Sequence, residues 1–294
     1  MQPTMRRLIL AASASLLLTI AACGSSQTSS SSAGAASSAA CTPKLGKADL
    51  VTAGTLTMST NATLPPMQYL DASGNVVGMR VELGDEIAKV LCLTPHFVNI
   101  PFDAQIPGVE SGRWDMIDTG MFYTPTRAKT IKLVPYEIQG VSVSVTQGNP
   151  KKIASEADLS GKTIAVEAPG YEFDTLNALN TQLKAAGKPS VTVRTFTTTA
   201  DAYQALAVGQ VDGVAIVAAV TSYYQKDGRF QTAVDGMNPA PLALGFGKQT
   251  AAEAVAGALQ TLRQNGFLAT LFKKYNVTAY SGALQVTTGA VSAN

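Results

Sequence analysis

The sequence predicts an α/β fold of two related lobes, and three observations predict it. From about residue 55 onward, short runs rich in β-branched residues alternate with helix-like stretches, the pattern of strands with crossover helices rather than of a bundle or a sandwich. One small unit, a helix-like segment, then G-x-x-D, then an apolar strand, occurs twice, in IPGVESGRWDMID (106–118) and AYQALAVGQVDGVAI (202–216). With 294 residues, 46% of them apolar and 14% charged, the chain can bury a sizeable core.

Taken in order, the expected strands are TLTMST (55–60), HFVNI (96–100), VSVSVT (141–146), TIAVEA (163–168), VTVRTF (191–196), VAIV (214–217) and LALGFG (242–247). The expected helices are 81–91, 103–110, 173–186, 200–209, 250–265 and 267–275, segments of helical length and apolar spacing. In the repeated unit, Gly112 and Gly209 are placed to end a helix in the left-handed conformation. Asp115 and Asp212 are placed to hydrogen-bond the turn into the strand, a structural role rather than a catalytic one. The two copies lie nearly a hundred residues apart, one for each lobe. PYEIQGVSVSV (135–145) then carries the chain to the second lobe and the loop VDGMNPAP (234–241) brings it back, so a hinge of two crossings is expected. The division is 48–137 for the first lobe, 138–241 for the second, 242–285 returning to complete the first, and 286–294 as a tail.

Ahead of the lobes, Arg6 and Arg7 precede an uncharged run of 15 residues, Leu8–Ala22, and then Cys23. That is the pattern of a signal peptide over 1–22; a membrane anchor would need ~18 to 20 apolar residues. Ile20-Ala21-Ala22-Cys23 also resembles a bacterial lipobox, which implies a lipidated Cys23 as the mature N-terminus and a linker up to residue 47. The 17 residues after Cys23 are Ser, Ala, Gly, Gln and Thr, a flexible tether reaching roughly 20 to 25 Å. Without Arg6 and Arg7 the formal net charge of +2 falls to about zero, and no dense Lys/Arg cluster follows. Nucleic acid is therefore not an expected partner. With Cys23 lipidated, Cys41 and Cys92 remain, and a disulfide between them is expected, two separate thiols being the rival.

The chain has one histidine, His96, on an expected strand. A histidine-based metal cluster or Ser-His-Asp triad is thus not expected. There is no G-x-x-x-x-G-K-S/T, no strand-to-helix G-x-G-x-x-G and no C-x-x-C, so no metal and no cofactor is expected. A purely carboxylate-based active site would leave no such mark.

Six segments, NATLPPMQYLDASGNVVGMRVEL (61–83), PFDAQIPGVESGRWDMIDTG (101–120), YTPTRAKTI (123–131), GKTIAVEAPG (161–170), AVGQVDGVAI (207–216) and LRQNGFLATLFKKYNV (262–277), resemble in that order the extracytoplasmic solute-binding proteins of ABC transporters, in the polar amino-acid (family 3) group. The resemblance spans about Gly54 to Tyr275. It implies a type II periplasmic-binding-protein (Venus flytrap) fold, a monomeric clamp that closes on a small carboxylate-bearing ligand and delivers it to a permease. It implies no enzymatic activity. A few similar proteins do dehydrate cyclic carboxylates, however, and for that chemistry Glu172 would be the candidate acid or base. A further alternative is a receptor module that reports ligand to a sensor partner rather than feeding a permease.

The resemblance also assigns residues. Arg127, in T-P-x-R-A, stands where the family binds the ligand's α-carboxylate, a task suited to the guanidinium's bidentate fork. Thr119, Gly120 and Phe122 stand in the donor loop ahead of it; many members have Ser or Thr where this chain has Phe122. Gly170, Tyr171 and Glu172 stand where backbone N–H groups at a helix N-terminus meet the same carboxylate. Asn61, Leu64, Met67 and Gln105, with Tyr69 nearby, stand in the side-chain pocket. Val217 departs from the pattern, because amino-acid binders of the family usually carry Asp or Glu there for the α-ammonium. Either Glu172 replaces that acid or the ligand has no free amine, since an unpaired buried ammonium would cost several kcal/mol.

Overall fold

The computed structural model describes residues 41–167, 170–289 and 291. The signal peptide, Cys23, most of the linker and Pro169 lie outside the described residues. In chain order, the first lobe opens with β1 (Thr55–Thr60), a small antiparallel sheet of β2 (Thr63–Leu64), β3 (Gln68–Leu70) and β4 (Val76–Val77), then α1 (Met79–Val90) and β5 (Thr94–Asn99). After a 3₁₀ turn at Phe102–Ala104 come α2 (Gln105–Glu110), β6 (Met116–Phe122) and α3 (Pro125–Thr130). The long β7 (Lys132–Thr146) leads into the second lobe, which holds β8 (Thr163–Glu167), α4 (Tyr171–Ala185), β9 (Thr192–Phe196), α5 (Thr199–Ala207), β10 (Gly213–Val217) and α6 (Ala218–Tyr224). The equally long β11 (Phe230–Phe246) returns to the first lobe, where α7 (Gln249–Gln264), α8 (Phe267–Tyr275) and β12 (Thr278–Ala279) complete it.

Among the described residues one sheet runs β5-β1-β6-β11-β7-β10-β8-β9, with β12 against β7. It is continuous because β7 and β11 belong to both lobes. Their antiparallel ladder extends from Lys132↔Phe246 in the first lobe to Thr146↔Phe230 in the second. The expected return loop over 234–241 is instead part of β11, with Met237 opposite Val141 and Ala240 opposite Gln139. What the sequence shows as a loop is a set of bulges: the register slips between Thr232 and Ala240, where Gly236 and Asn238 take φ of 66° and 45° and Pro239 offers no N–H to the ladder. At the crossing a Cβ on Gly140 would fall 2.6 Å from the Gly236 Cα, so the two linking strands touch backbone to backbone.

Local chemistry accounts for the elements that frame the cleft. α1 begins after Gly78, whose φ of 126° and whose approach to Met67 O, 2.5 Å from a would-be Cβ, exclude a side chain. Its buried face is Met79, Leu83, Ile87 and their neighbours at helical spacing. In the repeated unit Gly112 and Gly209 take φ of 71° and 73°. The following aspartates reach across to a neighbouring strand: Asp115 accepts from Thr57 N at 2.8 Å and Val51 N at 2.7 Å, and Asp212 from Thr163 N at 2.9 Å. α6 was not expected, since Ala218–Val220 continues an apolar run that reads as strand. Cys41 and Cys92 form a disulfide that ties the start of the described chain to the end of α1. The expected tail packs on the first lobe as far as Gly289, through Thr287 N donating to Leu133 O and Tyr123 Oη to Gly289 O.

Candidate functional site

The C-terminal ends of β1, β6, β8 and β10 and the N-terminus of α4 converge between the lobes on a cavity of about 50 Å³. Ten of the residues assigned from the sequence line it: Asn61, Leu64, Thr119, Gly120, Phe122, Arg127, Gly170, Tyr171, Glu172 and Val217. Phe102, Glu167 and Ile216 line it too and were not anticipated. Met67 and Gln105 do not. Met67 is sealed in the first lobe's core at 1% exposure; Gln105 stands behind the wall, accepting from Ser59 Oγ at 2.6 Å. Tyr69 faces Tyr223 of α6, with ring centroids 6.3 Å apart, in a separate opening.

Arg127 is set by its helix start. Thr124 caps α3, its Oγ1 accepting from Arg127 N at 3.1 Å, and Pro125 fixes the first turn. The guanidinium donates through Nη1 to Phe122 O at 2.7 Å and lies 5.4 Å from the centre of the Phe102 ring. It joins no ion pair among the described residues. Burial pulls its pKa below the usual value, while Glu172 and Asp174 oppose that shift. A half-covered guanidinium with free donors in a cavity wall is a site for an anion.

Facing it, Gly170 caps the 15-residue α4 without a side-chain cap, and Gly170, Tyr171 and Glu172 bring the helix's N-terminus, its positive end, to the cavity wall. Burial pushes Glu172 up to about 7, its own backbone N–H opposing and Glu167 reinforcing the shift. The Tyr171 ring stacks on Phe122 across the cleft, centroids 4.0 Å apart and planes 20° apart. Beside that stack Glu167 makes a polar bridge. Its Oε1 accepts from Asn61 Nδ2 at 3.0 Å and Thr63 Oγ1 at 2.8 Å, both in the first lobe, and its Oε2 from Thr199 Oγ1 at 2.5 Å. Beyond the bridge lies a larger chamber of about 690 Å³, rimmed by Asp103 and Thr198.

Behind β6 sits a buried charge network. Arg80 is 1% exposed; Nε donates to Tyr136 Oη at 3.0 Å, Nη1 to Gln68 Oε1 at 2.9 Å, and Nη2 pairs with Glu137. Gln68 Nε2 in turn donates to Thr119 O at 2.8 Å. Gly120, at φ 72°, rests on the guanidinium so closely that a Cβ would overlap it. Burial opposes the charge on Arg80, but Glu137, Tyr136 and Asp118 together hold its pKa above the usual value. Both carboxylate oxygens of Asp118 lack a hydrogen-bond partner among the described residues. Burial pushes Asp118 up to about 8 against the pull of Arg80.

Residues 56–278 match the bacterial extracellular solute-binding proteins, family 3. The chain belongs to this family. Among the relatives of this solute-binding protein is the probable ABC transporter arginine-binding protein ArtJ of Chlamydia trachomatis serovar D, 28% identical over 75% of this chain and 85% of that protein. Another is the L-cystine-binding protein TcyJ of Escherichia coli strain K12, 26% identical over 76% and 82%. A solved ancestral arginine-binding protein bound to arginine superposes with a TM-score of 0.69 at 29% identity, covering 76% of this chain and 98% of that one. The ancestral amino acid-binding protein AncCDT-1, a precursor of cyclohexadienyl dehydratase, gives 0.67 at 26%, covering 76% and 95%. The solute-binding protein thus has the two-lobed type II fold, works outside the cytoplasm, and comes from a family of binders rather than enzymes.

Proposed function

We propose that the cleft grips an amino acid by its α-carboxylate, between the Arg127 guanidinium and the N–H groups at the start of α4. The observation that carries this reading is Arg127 itself, half-covered in the cavity wall with no ion-pair partner among the described residues and faced by a helix N-terminus. The chain is the substrate-binding component of an ABC importer. Relatives named for arginine and cystine support an amino acid as its cargo. The cavity adds a preference: the Glu167 side chain lines it together with the Arg127 guanidinium, an arrangement that suits a ligand carrying a positive group as well as its carboxylate. No covalent step is needed, and we assign none to Glu172. Cys23 carries the lipid anchor and the domain acts as a monomer.

Binding closes the clamp because the closed form joins Arg127 to the second lobe's amides, and the shift equals the ligand's preference for that form. Arg127→Ala is expected to weaken the tightest-binding amino acid of a twenty-member panel by ~100-fold or more in titration calorimetry. Unchanged affinity would remove the carboxylate site.

A further inference from the structure

The open question at this site is where a ligand's amine goes when β10 ends in Val217. We propose that Glu167 is the α-ammonium acceptor of this protein, and that the cargo is therefore an amine-bearing amino acid rather than an amine-free carboxylate. The inference rests on the Arg127 reading above and deepens it.

Strand register places the charge. β8 and β10 are parallel neighbours, with Gly213 opposite Ile164 and Val214 opposite Ala165. Carried three residues on, that register sets Glu167 level with Ile216, next to Val217, on the same C-terminal edge of the sheet. Glu167, Val217 and Arg127 line one cavity. A carboxylate missing from the end of one strand is thus present at the end of the adjoining one.

Its surroundings suit the task. An ionised carboxylate offers about four lone-pair sites, and Asn61, Thr63 and Thr199 use three of them. All three donors are neutral, so the charge has no counter-ion among these contacts. An ammonium would supply one, through the remaining site and by sharing Oε2 with Thr199. Two of the donors come from the first lobe and one from the second, so the same carboxylate that meets the amine is fixed in place by closure. Glu172 is the competing candidate, but its carboxyl has been pushed toward neutrality by burial and by Glu167 beside it. Glu167, by contrast, is held by three donors drawn from both lobes.

The test is titration calorimetry of the full chain with the twenty L-amino acids and, for the tightest, the analogue with hydrogen in place of the α-amine. Glu167→Gln keeps the shape and acceptor oxygen but removes the charge. It is expected to weaken the amino acid by about 30- to 300-fold, the lower part of the range for losing one partner of a buried charged pair, and the amine-free analogue by less than about 3-fold. Adding Val217→Asp to Glu167→Gln is expected to restore discrimination in favour of the amine, since the charge returns one strand over; a purely structural bridge would not be rescued this way. Equal losses for both ligands, or a larger amine-specific loss in Glu172→Gln, would overturn the assignment. So would a wild-type chain that binds the amine-free acid as tightly as the amino acid. In each of those cases loss of binding in Arg127→Ala still upholds the carboxylate site. If Arg127→Ala binds like the wild type, the underlying reading falls as well.

Discussion

Asp118 shows how much one side chain can tilt this molecule. Its carboxyl keeps a proton to about pH 8 in the folded state, against an ordinary value of 3.8. The folded chain therefore holds a proton that the unfolded chain has lost, and the associated stability, full below about pH 4, drains away as pH rises toward 8. Unfolding free energies from urea titrations are expected to fall between about pH 5 and pH 8 by an amount on the order of 2–4 kcal/mol, and Asp118→Asn should flatten most of that slope. A pH dependence unchanged in Asp118→Asn would show that another group carries it. The sequence made Arg127 legible, because Thr-Pro caps a helix and delivers an arginine one turn in. Glu167 was hidden, because TIAVEA reads as a strand and nothing local says that its last acid crosses a cleft to Asn61 and Thr63. Met67 misled for the converse reason: its neighbours line the opening while its own side chain turns into the core.

Among the elements, β6 is the one on which the site depends most. It carries Thr119, Gly120 and Phe122 to the cavity, and its back is fixed by the relay from Arg80 through Gln68 to Thr119 O. Gly120→Ala would drive a methyl into the buried guanidinium at a φ of 72°, where side chains are strained. We expect a loss of roughly 1–3 kcal/mol in thermal unfolding, with ligand affinity falling too because this stretch of the cavity wall must move. Wild-type melting and binding in that variant would show the contact to be soft. Most helices and central strands could be read from spacing and β-branched runs. β11 could not, because Asp, Gly, Asn and Pro at 235–239 are turn residues in isolation, and the long partner β7 is what holds them in a ladder. The small sheet of β2, β3 and β4 consists of strands two or three residues long, too short for any periodicity.

At the scale of the whole molecule, two lobes and two crossings followed from the repeated G-x-x-D unit, while the tight contact of the crossings at Gly140 and Gly236 did not, since glycines far apart in sequence give no sign of touching. The stack of Phe122 on Tyr171 belongs to this scale as well, since it joins the lobes by protein contacts alone and favours the shut form whatever the cleft contains. A pair of this kind is worth ~0.5–1.5 kcal/mol beyond its burial. Phe122→Ser should accordingly give a larger radius of gyration in solution scattering before ligand is added. If docking on a permease requires the shut form, a clamp that the Phe122–Tyr171 stack shuts partly by itself docks without a passenger, and ATP turnover without solute is expected to drop when serine replaces the ring at residue 122.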